Sequence, residues 1–428
     1  MEATDRINTL LVGAGGREHA LALALSQSPR LGTLHISNPE NPGLASLGTP
    51  VDVPVSKAEI YRLNQYCDKH NIGLVILGPE GPIADGFTDA LATDIRLVFA
   101  PNAAAARLES DKAWAKQLMR SASIPTAEAR VFSRFDRAMD YLQSRDEAPV
   151  IKAAGLAAGK GVVLPDSLEA GIEFLRACME DGRFGDAGRT VLIEERLEGP
   201  EVSIHALVDG RNMYILETAQ DYKRIGDNDT GPNTGGMGAC SPNIHIDERA
   251  METIQREILV PTIDALRREG IDYRGVLYTG LMLTPAGPKV LEYNVRFGDP
   301  ECQAILARLR TDLIDMCIAT CTGRLNSVDI DFSPEPSCCV VLASEGYPES
   351  PNIGQPISGI DEAQALQNVQ VLHAGTRRDD SGGYITASGR VLNVVATGST
   401  RQDARDLAYH AAKAISFPGM KYRTDIGS

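Results

Sequence analysis

A carboxylate and an amide stand two residues apart in the apolar segment VLEYNVRF. Glu292 and Asn294 occupy positions i and i+2, so a strand here directs both side chains to one face. Carboxylate and amide oxygens are hard ligands that suit Mg²⁺, which usually takes one or two protein ligands together with substrate phosphates. Arg296 continues the same face, and RFGDPE predicts a turn after the strand. The pattern predicts a magnesium and phosphate site; the alternative is an exposed polar strand face.

Two lysines flank the glycine-rich stretch of IKAAGLAAGKGVV, with Lys152 at the end of one apolar segment and Lys160 before the next. The stretch differs from the P-loop pattern in two ways. The spacing from Gly155 to Gly159 is one residue too short, and Gly161 stands where the pattern has a serine or threonine. A hairpin is predicted instead. Its lysines would reach a nucleotide phosphate chain while glycines let backbone N–H groups approach. The alternative is a turn with two solvated lysines.

Three other segments carry weaker signals. The linker IEERLEGPEVS (193–203) has a backbone suited to an adenine edge, with Glu201 on the ribose, although acidic linkers are usually just solvated. GAGGREH (13–19) resembles a dinucleotide fingerprint, but Glu18 replaces its third glycine. A glycine turn into a helix still binds anions, so a substrate phosphate is expected there unless the turn is only structural. Lys112 lies early in a predicted helix, where a surface lysine is the ordinary interpretation.

Composition excludes several classes of protein. The net charge of −15 argues against nucleic acid or an anionic membrane as the main partner, and any anion site needs its own lysines and arginines. We find no apolar run of ~18 residues and no signal peptide. The eight cysteines form no C-x-x-C pair, so reduced, mostly buried thiols in a cytoplasmic protein are expected.

The elements that must position these residues fall into three groups. Apolar strands alternate with helices in the first hundred residues, which predicts an open, doubly wound parallel sheet. Strands then occur in pairs, PVIKAAG with GKGVVLP and TVLIEERL with EVSIHALVDG, and a hairpin is predicted in GVLYTGLMLTPAGPKVLEYNVRF. Between them, QDYKRIGDNDTGPNTGGMGACSP has no periodicity and is expected to be a functional or disordered loop. We predict an α/β and α+β multidomain fold with domains at 1–108, 109–326 and 327–428, the last small and β-rich.

Several segments, in chain order from about residue 10 to about 400, resemble the phosphoribosylamine–glycine ligases, the glycinamide ribonucleotide synthetases of the ATP-grasp superfamily. They include GAGGREHALA, VIKAAGLAAGKGV, LIEERLEGPEVS and, most specifically, QDYKRIGDNDTGPNTGGMGA and NVRFGDPE. The resemblance implies ATP-dependent ligation of glycine to 5-phosphoribosylamine through glycyl phosphate in purine synthesis. It also implies a mobile lid at about 125–195 and no nucleophilic Ser or Cys.

The resemblance also assigns roles to individual residues. It implies that Mg²⁺ or Mn²⁺ is held by Glu292 and Asn294. The ATP contacts that it implies are Lys112, Lys152, Gly159, Lys160, Gly161, Glu194, Glu195, Leu197 and Glu201. The substrate contacts are Gly15, Gly16, Arg17, Glu18, Arg224, Asn233, Thr234, Gly235 and Gly236, and the catalytic positions are Asp221, Lys223, Arg296 and Asp299. The expected partners are small molecules only, and the chain is expected to be a monomer.

The chain departs from the family pattern at two positions. Ala154 stands where the lid usually has a carboxylate, and Arg196 replaces an aromatic residue of the linker. Many ATP-grasp enzymes have a third metal ligand on the preceding strand, near Gly280 here, where no carboxylate is available; the phosphoribosylamine–glycine ligases lack it as well. A nicotinamide-dependent oxidoreductase is disfavoured because the dinucleotide fingerprint is incomplete. A non-catalytic nucleotide sensor is disfavoured by the retained metal and lysine positions. Another ATP-grasp carboxylate–amine ligase stays the alternative, against which the DNDTGPNTGGMG segment argues.

Overall fold

The computed structural model describes residues 6–157 and 159–428. The first part is a sheet flanked by helices, with elements β1 (Ile7–Val12), α1 (Gly16–Ser26), β2 (Leu31–Ile36), α2 (Pro42–Ala45), β3 (Thr49–Pro50), α3 (Ile60–Lys69), β4 (Ile72–Leu77), α4 (Glu80–Ala84), α5 (Phe87–Leu91) and β5 (Leu97–Phe99). The strand order is β3-β2-β1-β4-β5, and every neighbouring pair is parallel. The predicted doubly wound parallel sheet is confirmed.

The middle part contains two four-stranded sheets. In chain order, its elements begin with α6 (Ala103–Ser110), α7 (Lys112–Ser121), β6 (Ala129–Phe132), α8 (Phe135–Gln143), β7 (Val150–Ala153), β8 (Val162–Val163), α9 (Leu168–Met179), β9 (Val191–Glu194), β10 (Glu201–Asp209) and β11 (Met213–Ile215). They continue with β12 (Gln220–Asp221), β13 (Arg224–Gly226), β14 (Thr230–Asn233), β15 (Gly238–Ser241), α10 (Glu248–Ile254), α11 (Val260–Arg268), β16 (Arg274–Thr284), β17 (Gly287–Asn294), α12 (Glu301–Leu306) and α13 (Leu313–Thr322). The smaller sheet has the order β6-β9-β7-β8 and the larger one β11-β10-β16-β17.

The predicted hairpins β7–β8 and β16–β17 are confirmed, but the predicted pairing of β9 with β10 is wrong. Strand β9 lies between β6 and β7, whereas β10 lies between β11 and β16 of the other sheet. Both strands are central and almost wholly buried. Their apolar sequences therefore do not indicate which strand each one pairs with. Residues 195–200 therefore connect two sheets instead of closing a hairpin.

The segments NAAAARLESDKAWAKQLMRSAS and ECQAILARLRTDLIDMCIATCTG each predict one long helix, but each forms two helices, and the second of each pair begins at an aspartate. The Asp111 side chain accepts a hydrogen bond from the Trp114 N–H at 3.0 Å and so begins α7 as a separate helix. Asp312 caps α13 in the same way, with a 2.8 Å bond from the Ile314 N–H. Aspartate at an N-cap satisfies backbone donors that a continuous helix would pair internally, which is why hydrophobic periodicity alone missed both breaks.

The last part has an antiparallel sheet that takes in earlier residues. Its elements are β18 (Ser337–Ala343), β19 (Pro356–Ile357), α14 (Ile360–Gln364), β20 (Val369–His373), β21 (Thr376–Arg378), β22 (Tyr384–Thr386), β23 (Arg390–Thr397) and α15 (Arg401–Ala414). The five-stranded sheet has the order β12-β15-β18-β23-β20, beside a three-stranded sheet β19-β22-β21. Strands β12 and β15 come from the stretch that was expected to be irregular, so this sheet extends across the predicted boundary at residue 327.

Two predictions from composition concern the state of the cysteines and the presence of membrane-spanning helices. All eight cysteines are free, and seven of them are buried, as predicted. Within the described residues, no helix has the length and apolar character needed to cross a membrane.

Candidate active site

The carboxyl ends of β1 and β4 meet where the strand order of the parallel sheet reverses, which is where ligands bind on such sheets. Glu18 fills the space between the loops that follow these strands. Its Oε2 accepts a hydrogen bond from the Gly15 N–H at 2.6 Å, and a side chain at Gly13 or Gly78 would overlap its carboxylate. Gly13 also has a φ of 131°, which favours glycine. The Glu18 carboxylate is thus engaged in stabilising the turn.

Arg17 connects α1 to the turn that follows β17. Its side chain is buried, with Nε 2.7 Å from Glu18 Oε1 and Nη1 donating to the Phe297 carbonyl at 3.1 Å. Gly16 lies against the side-chain amide of Asn393, where a Cβ would collide with the amide nitrogen. The first turn of α1 is therefore packed between the β17 turn and the C-terminal sheet.

We expect Arg17→Ala to destabilise the N-terminal sheet by about 3 kcal/mol, because it leaves the buried Glu18 without its cation. The measurement is the midpoint of urea unfolding, with Arg17→Lys as the control that keeps the charge. An unchanged midpoint for Arg17→Ala would show that the guanidinium is free for an external anion instead of bound to Glu18 and Phe297.

Arg296 is fixed by two carboxylates that sequence patterns did not identify. Its Nη2 lies 3.0 Å from Glu109 Oε1, and its Nε lies 3.3 Å from Glu80 Oε2. Burial opposes the charge of Arg296, but these carboxylates outweigh it and raise the pKa of the guanidinium. Its Nη2 also donates to Asn294 Oδ1 at 3.3 Å. Arg296 therefore holds a fixed positive charge beside the predicted metal ligands.

Glu292 and Asn294 lie on one face of β17, as the alternation predicts, opposite Gly280 and Tyr278 of β16. Lys223 pairs with Glu201, and its Nζ lies 3.7 Å from Glu292 Oε1. Burial opposes ionisation of Glu292, but nearby lysines, with Lys223 first, lower its pKa. The ionised carboxylate and the amide oxygen fit a hard divalent cation. The described residues hold no cluster of three or more acidic, His or Cys side chains that could bind a metal ion by themselves.

A buried ion-pair cluster lies beneath the predicted phosphate-binding hairpin. Glu194 Oε2 is 2.9 Å from the Lys152 Nζ, and its Oε1 is 3.1 Å from the Lys116 Nζ. Burial opposes ionisation of Glu194, but the two lysines outweigh it and lower its pKa. Lys112 donates to the Gly155 carbonyl at 3.1 Å, which brings a third lysine to the same place. Both oxygens of the Glu194 carboxylate are thus paired with lysines.

The linker after β9 is anchored on both sides. The Glu195 carboxylate accepts hydrogen bonds from the Glu128 N–H at 3.0 Å and from the Lys289 Nζ at 2.8 Å. Gly199 has a φ of 145° and packs so closely on the Leu283 carbonyl that no side chain fits. Leu197 between these anchors is half-buried. The linker thus has a fixed course from the smaller sheet to the larger one.

The hairpin turn between β7 and β8 presents its lysine to solvent. Lys160 and Gly159 are exposed, and Gly159 has a φ of 75° with open space around its Cα. Gly161 is buried, and its carbonyl accepts a hydrogen bond from the Ala153 N–H at 2.8 Å. The two ends of the turn are therefore joined by a backbone hydrogen bond, while the Lys160 side chain and the Gly159 backbone remain accessible to solvent.

Residues 221–236, hereafter the 221–236 loop, form a two-stranded ribbon beside Glu292. Arg224 of β13 lies opposite Asn233 of β14, and the Arg224 Nη1 donates to the Gly231 carbonyl at 2.6 Å. Thr234 closes the ribbon, because its N–H and hydroxyl both donate to the Lys223 carbonyl, at 2.8 and 2.7 Å. These contacts within the loop bring Lys223 to the predicted metal ligand.

Two residues of the C-terminal part fasten this loop to the β17 turn. The Gly235 N–H donates to the Tyr347 hydroxyl at 2.9 Å, and the Gly235 carbonyl accepts from Arg390 Nη1 at 2.5 Å. Arg390 also binds Asp299, through the carboxylate at 2.8 Å and the carbonyl at 2.6 Å. Gln303 donates to the other Asp299 oxygen at 2.7 Å. The predicted catalytic Asp299 is therefore held in place from two elements.

Asp221 lies at the base of the loop in a crowded acidic environment. Its Oδ1 is shielded from solvent and accepts no hydrogen bond from the described residues. Burial, followed by the charge of Glu301, raises the pKa of Asp221 well above its usual range. Gly236, with a φ of 110°, must be glycine because a Cβ would approach both Asp221 and Pro300. Asp221 is thus an unsatisfied acceptor at the floor of the site.

Sequence patterns missed several residues that support the predicted ones. His205 is fully buried, its Nε2 accepts from the Gly298 N–H at 3.1 Å, and burial lowers its pKa to about 3. Such supports are single polar residues in apolar strands or helices, and only their distant partners reveal their role. The GPEGP segment was a partial signal, since loops at the carboxyl ends of parallel strands bind ligands. The missed supports are Glu80, Glu109, Lys116, His205 and Arg390.

The two sheets, the lysine cluster between them and the Glu292–Asn294 pair define an ATP-grasp enzyme, a class that uses ATP. Three family models match the chain: the phosphoribosylglycinamide synthetase N domain at residues 7–109, its ATP-grasp (A) domain at 110–302 and its C domain at 337–428. The chain belongs to the phosphoribosylglycinamide synthetase family.

Relatives from other organisms cover nearly the whole chain. The chain is 45% identical to a phosphoribosylamine–glycine ligase of Rhodopirellula baltica, over 99% of this chain and 97% of the relative. It is 43% identical to a phosphoribosylamine–glycine ligase of Caldanaerobacter subterraneus, over 99% and 100%. A crystal structure of phosphoribosylamine–glycine ligase from Thermotoga maritima has a TM-score of 0.82 at 32% identity, covering 98% of this chain and 100% of the other.

Proposed function

We propose that this chain joins glycine to 5-phosphoribosylamine at the expense of ATP, giving glycinamide ribonucleotide, ADP and phosphate in purine synthesis. The names of its full-length relatives support this activity. The observation that carries it is the 221–236 loop, which brings Lys223 to Glu201 and Glu292 and is fastened to Asp299 through Arg390. The residues that we assign to the nucleotide, to the metal and to the acceptor substrates therefore lie close to one another.

The nucleotide side of the site consists of the lysine cluster and the linker. Lys112, Lys152 and Lys160 supply positive charge for the phosphates, and Gly159 and Gly161 allow backbone N–H groups to approach them. The backbone from Glu194 to Leu197 binds the adenine edge. This assignment is supported by the saturation of the Glu194 carboxylate by two lysines. Glu201 accepts the ribose hydroxyls once Lys223 shifts toward the phosphates.

Glu292 and Asn294 would hold Mg²⁺ or Mn²⁺, which when bound neutralises phosphate charge and orients the γ-phosphate. In the first step the glycine carboxylate attacks this phosphate, which forms the P–O bond of glycyl phosphate and releases ADP. In the second step the phosphoribosylamine nitrogen attacks the acyl carbon and phosphate leaves. Arg296 and Lys223 neutralise the transferring phosphoryl group, and Asp299 and Asp221 orient the attacking groups.

The acceptor side lies between α1 and the 221–236 loop. We assign the backbone of Gly15 and Gly16 to the phosphoribosylamine phosphate, because a helix N-terminus attracts anions. Arg17 and Glu18 position this turn through their mutual ion pair. On the loop, the substrate contacts that we assign are Arg224, Asn233, Thr234, Gly235 and Gly236.

The test of this function is ADP release from ATP and Mg²⁺, with phosphoribosylamine generated in situ and each substrate omitted in turn. Release that requires both glycine and phosphoribosylamine is the expected result. Release with another amino acid in place of glycine would favour a different ATP-grasp carboxylate–amine ligase.

We expect Lys160→Ala to raise the KM for ATP roughly tenfold, because a charge-assisted contact to the phosphates is lost. The fold should be unaffected, since Lys160 is exposed. Lys57→Ala is the matched control, an exposed lysine of the N-terminal part that pairs with Asp85. An unchanged KM and kcat for Lys160→Ala would show that this lysine is simply solvated.

We further propose that the chain comprises domains at 1–108, 109–326 and 327–428, with a mobile lid at about 125–195, and that it acts as a cytoplasmic monomer. The free, buried cysteines support a reducing compartment. Sedimentation of the purified protein tests the monomer.

A further inference from the structure

The tip of the ribbon formed by β13 and β14 has a strained backbone. Asn228 and Asp229 have φ values of 54° and 52°, two consecutive residues in the left-handed region that normally favours glycine. Both residues are exposed, so core packing does not force this conformation. Strained residues persist only where surrounding contacts over-determine them, and such residues concentrate at functional sites. Contacts with other parts of the chain are therefore expected at this turn.

Those contacts come from residues 423–425, a segment that carries no recognisable sequence motif. Arg423 is the hub, with a side chain only 1% exposed. Its guanidinium donates to Asp229 Oδ1 at 2.7 Å, to the Arg224 carbonyl at 3.2 Å and to both oxygens of Asp425 at 2.8 and 2.7 Å. One side chain thus joins the first strand of the ribbon to its strained tip.

Two neighbouring residues of the same segment form further hydrogen bonds with the turn. Thr424 donates to both oxygens of Asp227, through its N–H at 2.7 Å and its hydroxyl at 2.5 Å. Asp425 accepts from the Asn228 N–H at 2.8 Å, which pins the first strained residue. The turn therefore receives bonds from the C-terminal part at three consecutive residues.

The far end of the same ribbon reaches the candidate active site. Lys223 directly precedes β13 and contacts Glu201 and Glu292, while Thr234 directly follows β14 and binds the Lys223 carbonyl. A ribbon this short transmits the position of its tip to its base, because the two strands are paired over only a few residues. The position of the tip therefore contributes to the position of Lys223, together with the bonds that Tyr347 and Arg390 make to Gly235.

We propose that Arg423 is a positioning residue for the ligase reaction, which fixes the 221–236 loop from outside the substrate site. This proposal rests on the proposed role of the loop in holding glycine and phosphoribosylamine. It predicts that loss of Arg423 weakens binding of glycine and phosphoribosylamine more than binding of ATP, because Arg224, Asn233 and Thr234 lie on the loop itself, whereas the residues assigned to ATP lie on the two central sheets and their linker and meet the loop at Lys223.

The first test is Arg423→Gln in the full chain, with two readouts. Amide hydrogen exchange of Asn228 and Thr234 in the ligand-free protein should become at least about tenfold faster, as expected for loss of a hydrogen bond to a charged group. The KM values for glycine and phosphoribosylamine should rise by a similar factor, while the KM for ATP stays within about twofold. Arg423→Lys keeps the charge but cannot reach all three partners, so both effects should be intermediate.

Asp229→Asn asks the same question without altering a buried residue, in case Arg423→Gln does not fold. Its side chain is 71% exposed while its Arg423 partner is 1% exposed. The chain offers a matched control in Asp68→Asn, an aspartate 69% exposed that pairs with Arg96, 3% exposed, in the N-terminal part. Asp229→Asn should accelerate loop exchange and raise the acceptor KM values, and Asp68→Asn should do neither.

Unchanged loop exchange in both Arg423→Gln and Asp229→Asn would overturn the proposal. Equal increases in all three KM values, ATP included, would also overturn it, because they indicate general destabilisation. If the unaltered protein fails to ligate glycine to phosphoribosylamine, the proposed function fails by itself. The exchange measurement needs no substrate and still tells whether Arg423 orders the loop.

Discussion

Glu292→Gln is expected to lower ADP formation by roughly a thousandfold, which is the scale for losing an electrostatic contact to a transferring phosphoryl group. The substitution keeps the shape of the side chain and removes a real charge, because nearby lysines lower the pKa of Glu292 despite its burial. The measurement is initial rate against Mn²⁺ concentration, with the circular dichroism spectrum as the check on folding.

Glu292→Asp is the companion variant, since it restores a carboxylate at a shorter reach. It should recover part of the rate at high Mn²⁺, whereas Glu292→Gln should not respond to metal. A Glu292→Gln protein with ordinary turnover would remove this residue from the metal site and leave Asn294 without a partner ligand.

The second large effect is expected for Lys152→Met, judged against Lys116→Met. Both lysines are buried and bind the same Glu194, at 2.9 and 3.1 Å, so each loss leaves one carboxylate oxygen unpaired. Each variant should lose about 3 kcal/mol of stability, the scale for breaking a buried ion pair. Only Lys152→Met should also raise the KM for ATP, by roughly tenfold or more.

This comparison separates a structural from a nucleotide-binding role at matched burial and charge. Lys116 donates instead to the Thr126 hydroxyl and the Ala127 carbonyl, which hold it beneath the cluster. If the two variants show the same KM for ATP, the contribution of Lys152 is confined to neutralising Glu194, and the phosphate charge must come from Lys112 and Lys160.

Local patterns predicted the elements whose partners are close in sequence. The β7–β8 and β16–β17 hairpins follow from alternation and turn residues, and the alternation also placed Glu292 and Asn294 on one face. The resemblance supplied the rest of the predicted site. Neither source could show that β12 and β15 join the C-terminal sheet, because strand pairing there is decided by burial of apolar faces that lie far apart in the chain.

The missed supports share the same cause. Arg390 contacts Gly235 across 155 residues, and Glu109 contacts Arg296 across 187. A lone arginine or glutamate in an amphipathic element is indistinguishable from a surface residue until its partner is known. Sequence reasoning therefore identified the groups that meet the substrates better than the groups that hold them in place.

The bond between Arg423 and Asp229 spans 194 residues, which bears on how the protein is made. Domains generally fold as units during synthesis, starting from the N-terminus. Asp229 leaves the ribosome long before Arg423 is added, so the nascent chain contains both central sheets and all their lysines while the strained turn still lacks its partners. A growing chain should thus acquire its nucleotide site first and its acceptor site last. A nascent chain stalled before residue 423 should therefore contain the nucleotide site without a completed acceptor site.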